Sequence, residues 1–296
     1  MQVMEHPLIS FIVASYNTPD TLLQECVNSI ISINVSKEIL IVDDGSEKAV
    51  VSNVSCCKVY RIEHSGLSAA RNFALKKASG IYVQFVDADD YLFSDVYIKI
   101  LEHAVNNDLD MISFAFSNRR KSHLTNFSSV MTGAEYMLHN NIHGAACMFV
   151  FKRTILDSLR FTNGIYHEDE EFTPLLMLKA TRFEKTDSIA YFYRMHANTI
   201  TTSCNEEHII KRLNDNLLVI LNLQEWANDI SDMLSKKALT RRIDQLCMDY
   251  LYNIVRLRKT ELKSRLSDLR ENGLFPLPLK FYTLKYYLFA LVTKFF

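Results

Sequence analysis

Neither sign of charge dominates this sequence: 33 Lys and Arg stand against 34 Asp and Glu in 296 residues, a net charge of −1. A chain so balanced lacks the cationic field that general nucleic-acid binding needs, so no nucleic-acid partner is expected. No Cys-x-x-Cys pair occurs among Cys26, Cys56, Cys57, Cys147, Cys204 and Cys247. Their irregular spacing argues against a disulfide framework or a zinc site and reads as reduced thiols of a cytoplasmic protein. The apolar run Leu8–Ala14 is too short to span a bilayer and has the length of a strand. No basic stretch precedes it and no small-residue cleavage site follows, so no secretory leader is expected. Internal repeats and low-complexity segments are also missing. With 48% hydrophobic and 23% charged residues, the chain has the material for one large α/β domain plus an appendage, or for two modest domains.

What is present is alternation. Short apolar, β-branched runs at residues 8–14, 38–42, 57–62, 81–86 and 111–116 read as strands, and 145–151 as a further one. Between them, residues 19–31, 67–78 and a stretch from Ser94 have helical spacing, with Thr18 placed to cap the first and Pro19 in its first turn. Residues 118–129 are polar and basic and read as a loop, 168–180 as a helix, and 182–194 as two short strands. From Asn205 onward Leu, Ile and Met recur at helical intervals. The expected architecture is a Rossmann-like α/β fold with a mixed, mainly parallel sheet flanked by helices and a C-terminal helical extension. The expected boundaries are a catalytic domain over 1–203, divided into halves 1–117 and 118–203, and a helical region over 204–296.

Two strands end in acid: Asp43-Asp44-Gly45-Ser46 and Asp87-Ala88-Asp89-Asp90. Ligands of parallel sheets sit beyond the carboxyl ends of the strands. Crowded carboxylates repel unless a cation lies among them, and a hard divalent cation takes such oxygens together with substrate phosphates. Each cluster also reads as a plain solvated turn. In Glu63–Asn72 small residues lead into a helix, and Arg71 suits either a phosphate or a surface ion pair. His167-Glu168-Asp169-Glu170-Glu171 opens a helix, where acids are favoured by the helix dipole, and one of them also suits a general base.

Taken in order, SFIVASYN, EILIVDDGS, GLSAARNFALKKASG, YVQFVDADDYL and YHEDEEF resemble the family 2 glycosyltransferases, over about the first 180 residues. The resemblance implies the GT-A fold of nucleotide-diphospho-sugar transferases, of the type that builds bacterial polysaccharides. It implies that Ala14, Ser15 and Tyr16 line the base pocket and that Asp44 bonds the base, with Asp43 supporting the turn. Ser65 and Arg71 would lie by the ribose or diphosphate, and Asp87, Ala88 and Asp89 would form the Asp-x-Asp motif. Asp89 would ligate Mg²⁺ or Mn²⁺, with Asp90 behind it. Asp169 would be the catalytic base and Glu168 would help place a sugar. Arg194 would offset leaving-group charge, and His196 is a further candidate metal ligand; both also read as parts of a strand end and turn. The sequence departs from the family in Ala14-Ser15 where many relatives carry Pro before Tyr-Asn, in Ser65 where many carry Asn, and in the extra acids Glu170 and Glu171.

The expected reaction is inverting transfer from a nucleotide-diphospho-sugar, UDP-linked by resemblance, to a saccharide or lipid-linked saccharide. Residues 275–296 interleave aromatics with Lys280, Lys285 and Lys294, which suits peripheral contact with the inner face of the plasma membrane or packing on the core. The rivals are a non-catalytic nucleotide-sugar binder, which would have lost a carboxylate from the motifs, and a nucleotidyltransferase, which usually shows a glycine-rich basic loop where this chain has Ser15-Tyr16-Asn17-Thr18-Pro19.

Overall fold

The computed structural model describes residues 6–52, 54–195 and 205–295. The chain divides into two compact units: Met1–Gly133, Ala145–Ile165 and Lys179–His196 make the first, and Ala134–Gly144, Tyr166–Leu178 and Ala197–Phe296 the second. Residues 134–144 and 166–178 thus group with the C-terminal helices, although sequence reading assigns both to the catalytic domain.

The first unit is built on one sheet. Its strands are β1 (Ile9–Ser15), β2 (Lys37–Asp43), β3 (Cys57–Arg61), β4 (Tyr82–Asp87), β5 (Tyr91–Leu92), β6 (Met111–Ser117), β7 (Phe149–Lys152) and β8 (Phe183–Phe192). They lie side by side as β3-β2-β1-β4-β7-β6-β8-β5. β3, β2, β1 and β4 run parallel, β7 runs against both its neighbours, and β8 is parallel to β6. The sheet is therefore mixed and mainly parallel, as expected. β1 is central, and Ile9, Phe11, Ile12 and Val13 are buried on both faces, which is why it reads as an unbroken apolar run. The helices of this unit are α1 (Asp20–Ile31), α2 (Leu67–Lys77), which packs on β1 and β2, and α3 (Ser94–Asn106), which packs on β6 and β8.

Several local expectations are corrected. Within residues 182–194 a single long strand forms, β8, in place of two short ones, because burial continues through the polar alternation of Glu184, Thr186 and Ser188. The polar stretch 118–129 lies beside β8, with isolated bridges at His123–Ile189 and Phe127–Thr186. The strand expected over 145–151 is shortened to β7 and preceded by a 3-10 turn at Ala146–Met148. Pro19, at φ −54° and ψ 133°, is itself the cap of α1, and Thr18 lies before it.

The second unit is helical. It takes in most of α4 (Gly133–His139) and α5 (Glu168–Lys179), then α6 (Glu206–Asp229), α7 (Met233–Leu257), α8 (Leu262–Glu271) and α9 (Leu284–Val292). Asn205 caps α6 by accepting from the Glu207 and His208 N–H groups, and Asp232 caps α7 through Leu234 and Ser235. α6 and α7 pack on each other as a hairpin with a short connection. Arg241 and Arg242 of α7 are buried and donate to the Met137 and Ile142 carbonyls at 3.1 and 3.0 Å, which fastens α4 and the segment after it to α7. α9 turns Tyr286 and Ala290 inward and leaves Leu284, Leu288, Leu291 and Val292 exposed.

Candidate active site

The strand register brings separate motifs together. Ser15 at the end of β1 is opposite Asp43 of β2, and Ala14 is opposite Asp87 of β4. The two acidic clusters therefore flank the carboxyl end of the central strand, as ligand sites in parallel sheets require. Ser15 is 2% exposed, and its hydroxyl has no hydrogen-bond partner.

The loop after β2 is held by its own acids. Asp43 Oδ1 accepts from the Ser46 N–H at 2.9 Å, and Oδ2 accepts from Val50 N–H at 3.2 Å and Arg61 at 3.1 Å. Burial pushes this carboxyl up, but these bonds and the Ser46 hydroxyl bring it below the usual carboxylate range. Asp44 accepts from the Ser65 and Gly66 N–H groups at 2.8 and 2.9 Å and pairs with His64 at 2.9 Å. It thereby joins the β2 loop to the start of α2. Gly45 sits at φ 77°, and a Cβ there would come within 2.8 Å of the His64 backbone nitrogen, so the approach depends on glycine. Asn17, also at positive φ, donates its N–H to Ser46 Oγ at 2.9 Å and so ties the end of β1 to the same loop. Tyr16 is 49% exposed and stacks on His64 with ring centres 4.0 Å apart.

The second cluster is a tight turn, with Asp90 N–H donating to the Asp87 carbonyl at 3.0 Å. Arg71, expected beside ribose or diphosphate, is 4% exposed. Its guanidinium donates to Asp87 Oδ1 at 2.9 Å and lies over the rings of Phe85 and Phe161. Arg194 clamps the turn from the far side: its N–H donates to Asp90 Oδ1 at 2.7 Å, its Nε to the Asp89 carbonyl at 2.8 Å, and its guanidinium pairs with Glu25. Burial, followed by the neighbouring Asp87 charge, pushes the Asp90 carboxyl up to about 8. Its Oδ2 is buried without a hydrogen-bond partner.

These oxygens are the hard donors that a divalent cation takes, and the elevated Asp90 carboxyl marks a place where positive charge would be welcome. No group of three or more acidic, His or Cys side chains among the described residues converges on a point that would hold a metal. A cation here would draw part of its coordination from a bound diphosphate. His196, the other ligand candidate, lies outside the described residues.

Ala14, Ser15, Tyr16, Asp43, Asp44, Ser65, Arg71, Asp87, Ala88, Asp89 and Arg194 all belong to the first unit, whereas Glu168 and Asp169 belong to the second. There they open α5, with Glu168 buried and Asp169 half-buried. His167, just before them, has a left-handed φ of 65°. Sequence reading missed Glu25, the partner of Arg194, and Tyr191, whose buried hydroxyl accepts the Asp87 N–H at 3.0 Å. Neither carries a local signal, since each matters through a partner far along the chain.

Known proteins resemble this chain in sequence and in fold. The model of the family described as "Glycosyl transferase family 2" matches residues 10–160. The uncharacterized glycosyltransferase EpsJ of Bacillus subtilis (strain 168) is 28% identical in an alignment that covers 70% of this chain and 67% of EpsJ. WfaP of Escherichia coli, named a UDP-Glc:alpha-D-GlcNAc-diphosphoundecaprenol beta-1,3-glucosyltransferase, is 26% identical over 68% of this chain and 83% of its own. Among solved structures, S. aureus TarS 1-349 in complex with UDP-GlcNAc superposes with a TM-score of 0.63 at 20% identity, over 96% of this chain and 79% of that one. The last of these speaks to the fold alone.

Proposed function

From the premise that the chain belongs to glycosyl transferase family 2 and is a glycosyltransferase, we propose that it transfers a sugar with inversion from a UDP-linked donor to a saccharide or lipid-linked saccharide. The observation that carries this reading is the strand register that sets Ser15, Asp43 and Asp87 at neighbouring carboxyl ends. In this reading Tyr16 and the Asp44 loop receive the base, and the unpartnered Ser15 hydroxyl faces the nucleotide. Arg71 acts as a positioning residue that fixes Asp87 toward the ribose and sugar. The UDP sugar named for WfaP supports uracil as the base.

Asp169 accepts the acceptor's hydroxyl proton as that oxygen attacks the anomeric carbon. The new C–O bond forms as the bond to the diphosphate breaks, and UDP departs with the electron pair. Asp169 stands in the first turn of α5, where the helix dipole favours negative charge. Asp89 and the donor's phosphates would hold Mg²⁺ or Mn²⁺, which when bound stabilises charge on the departing diphosphate. Arg194, next to that turn, adds fixed positive charge.

In this reading a lipid-linked acceptor would be met at the membrane surface, on which the exposed apolar face of α9 with Phe281 and Phe295 would rest. No helix among the described residues is long and apolar enough to cross a membrane. The test is Asp169→Asn assayed by UDP release. A fall in kcat of about 10²–10⁴-fold with donor binding kept is expected, and wild-type turnover would remove Asp169 from the role.

A further inference from the structure

The second unit holds a polar cleft of about 280 Å³, lined by His167, Glu170, Asn216, Leu246, Asp249, Tyr252 and Asn253. Its walls follow from helix periodicity. Leu246, Asp249 and Asn253 fall at three- and four-residue steps on α7 and so share one face. Asn216 comes from α6, and His167 and Glu170 flank Asp169 at the start of α5.

We propose that this cleft is the acceptor subsite and takes one uncharged sugar ring of the acceptor; this rests on the glycosyl-transfer reading above. Asn216 is 9% exposed, yet its Oδ1 has no hydrogen-bond partner. A buried carbonyl oxygen left this way costs stability unless a ligand donor meets it, and a sugar hydroxyl is such a donor. The charges near the cleft largely balance. Glu170 is paired with Arg242, and the Lys285 ammonium stands over the Tyr252 ring, 5.7 Å from its centre, where it offsets Asp249 at the rim. Burial holds His167 below its ordinary value, so its imidazole is neutral at pH 7 and can both donate and accept. Amide, carboxylate and neutral imidazole groups around a small cleft suit hydroxyls rather than a phosphate or an apolar chain. The backbone of Gly144 keeps the rear wall close: a Cβ there would fall 2.3 Å from Glu170 Oε2.

The test uses the full chain, with methyl glycosides of glucose, galactose and N-acetylglucosamine as binding probes and their p-nitrophenyl glycosides as acceptors. UDP-glucose and UDP-N-acetylglucosamine serve as donors. Saturation-transfer NMR should detect at least one methyl glycoside on the wild type, and Asn216→Ala and Asp249→Asn should lose it. Acceptor KM should rise about tenfold in each variant, as loss of one net hydrogen bond implies, while donor KM stays near wild type. Asp249 is exposed, so its variant carries the test if Asn216→Ala fails to fold. No saturation transfer to the wild type, or transfer and acceptor KM unchanged in Asp249→Asn, overturns the subsite. Absence of wild-type UDP release and of donor binding overturns the underlying transfer reading instead.

Discussion

Glu38 shows how much one buried acid can organise. It stands near the start of β2, 5% exposed. It accepts from Ser10 Oγ at 2.7 Å, from Ser79 N–H at 2.7 Å and from Ser79 Oγ at 2.8 Å, and it pairs with Lys58 at 3.0 Å. Burial works against the charged form, but these bonds prevail and draw the carboxyl down to about 2. Because the folded value lies below the unfolded one, the stabilisation is fully present above the unfolded value and is lost as pH falls toward 2. Glu38→Gln should therefore cost about 2 kcal/mol at pH 7 by urea denaturation, and the gap from wild type should narrow below about pH 4. At the other end of the strand, loop N–H groups converge in the same way on the carboxylates of Asp43 and Asp44. The motif acids thus fix the loops around the candidate site.

At the scale of elements, α9 is apolar on both sides. Tyr286 and Ala290 fill the interior of its own unit, while Leu284, Leu288, Leu291 and Val292 face outward beside Phe281 and Phe295. Exposed apolar side chains on one short helix suit an interaction surface. Leu284→Asp with Leu288→Asp should abolish flotation with anionic liposomes while leaving UDP binding unchanged; equal flotation would assign the patch to another use. The same scale shows what the sequence made legible. β1, β2 and β4 were readable because burial on both faces leaves continuous apolar runs ending in acid. β5, with two residues, is too short for any pattern, and β8 was misread because a polar alternation can still be buried when side chains such as Glu184 and His103 satisfy each other. The Asp-x-Asp turn was legible as a motif. The Arg71–Asp87 pair, the Arg194 clamp and the Asn216 cleft were not, since each depends on contacts between distant segments.

For the molecule as a whole, ligand linkage provides the simplest check of the site. UDP with Mn²⁺ should raise the melting temperature well above that given by either alone, because binding to the native state stabilises it in proportion to the logarithm of ligand concentration over Kd. Ala substitution at Asp89 should remove most of that synergy, measured by differential scanning fluorimetry; an unchanged synergy would move the cation elsewhere. Asp244, buried on α7 and bonded to the Tyr282 hydroxyl at 2.7 Å, works in the opposite sense to Glu38. Burial raises it to about 6, so its contribution weakens as pH climbs toward that value.

The Arg194 clamp carries a consequence for how the protein is made. The N–H that grips Asp90 comes from a residue 104 positions later in the chain, and β5 beside that turn pairs with β8. A nascent polypeptide leaves the ribosome amino end first, so the early strands can meet while the acidic turn still waits for its fastening. Translation halted before β8 would release a half-built sheet with a loose acidic turn and an open edge, a species for chaperones to shelter.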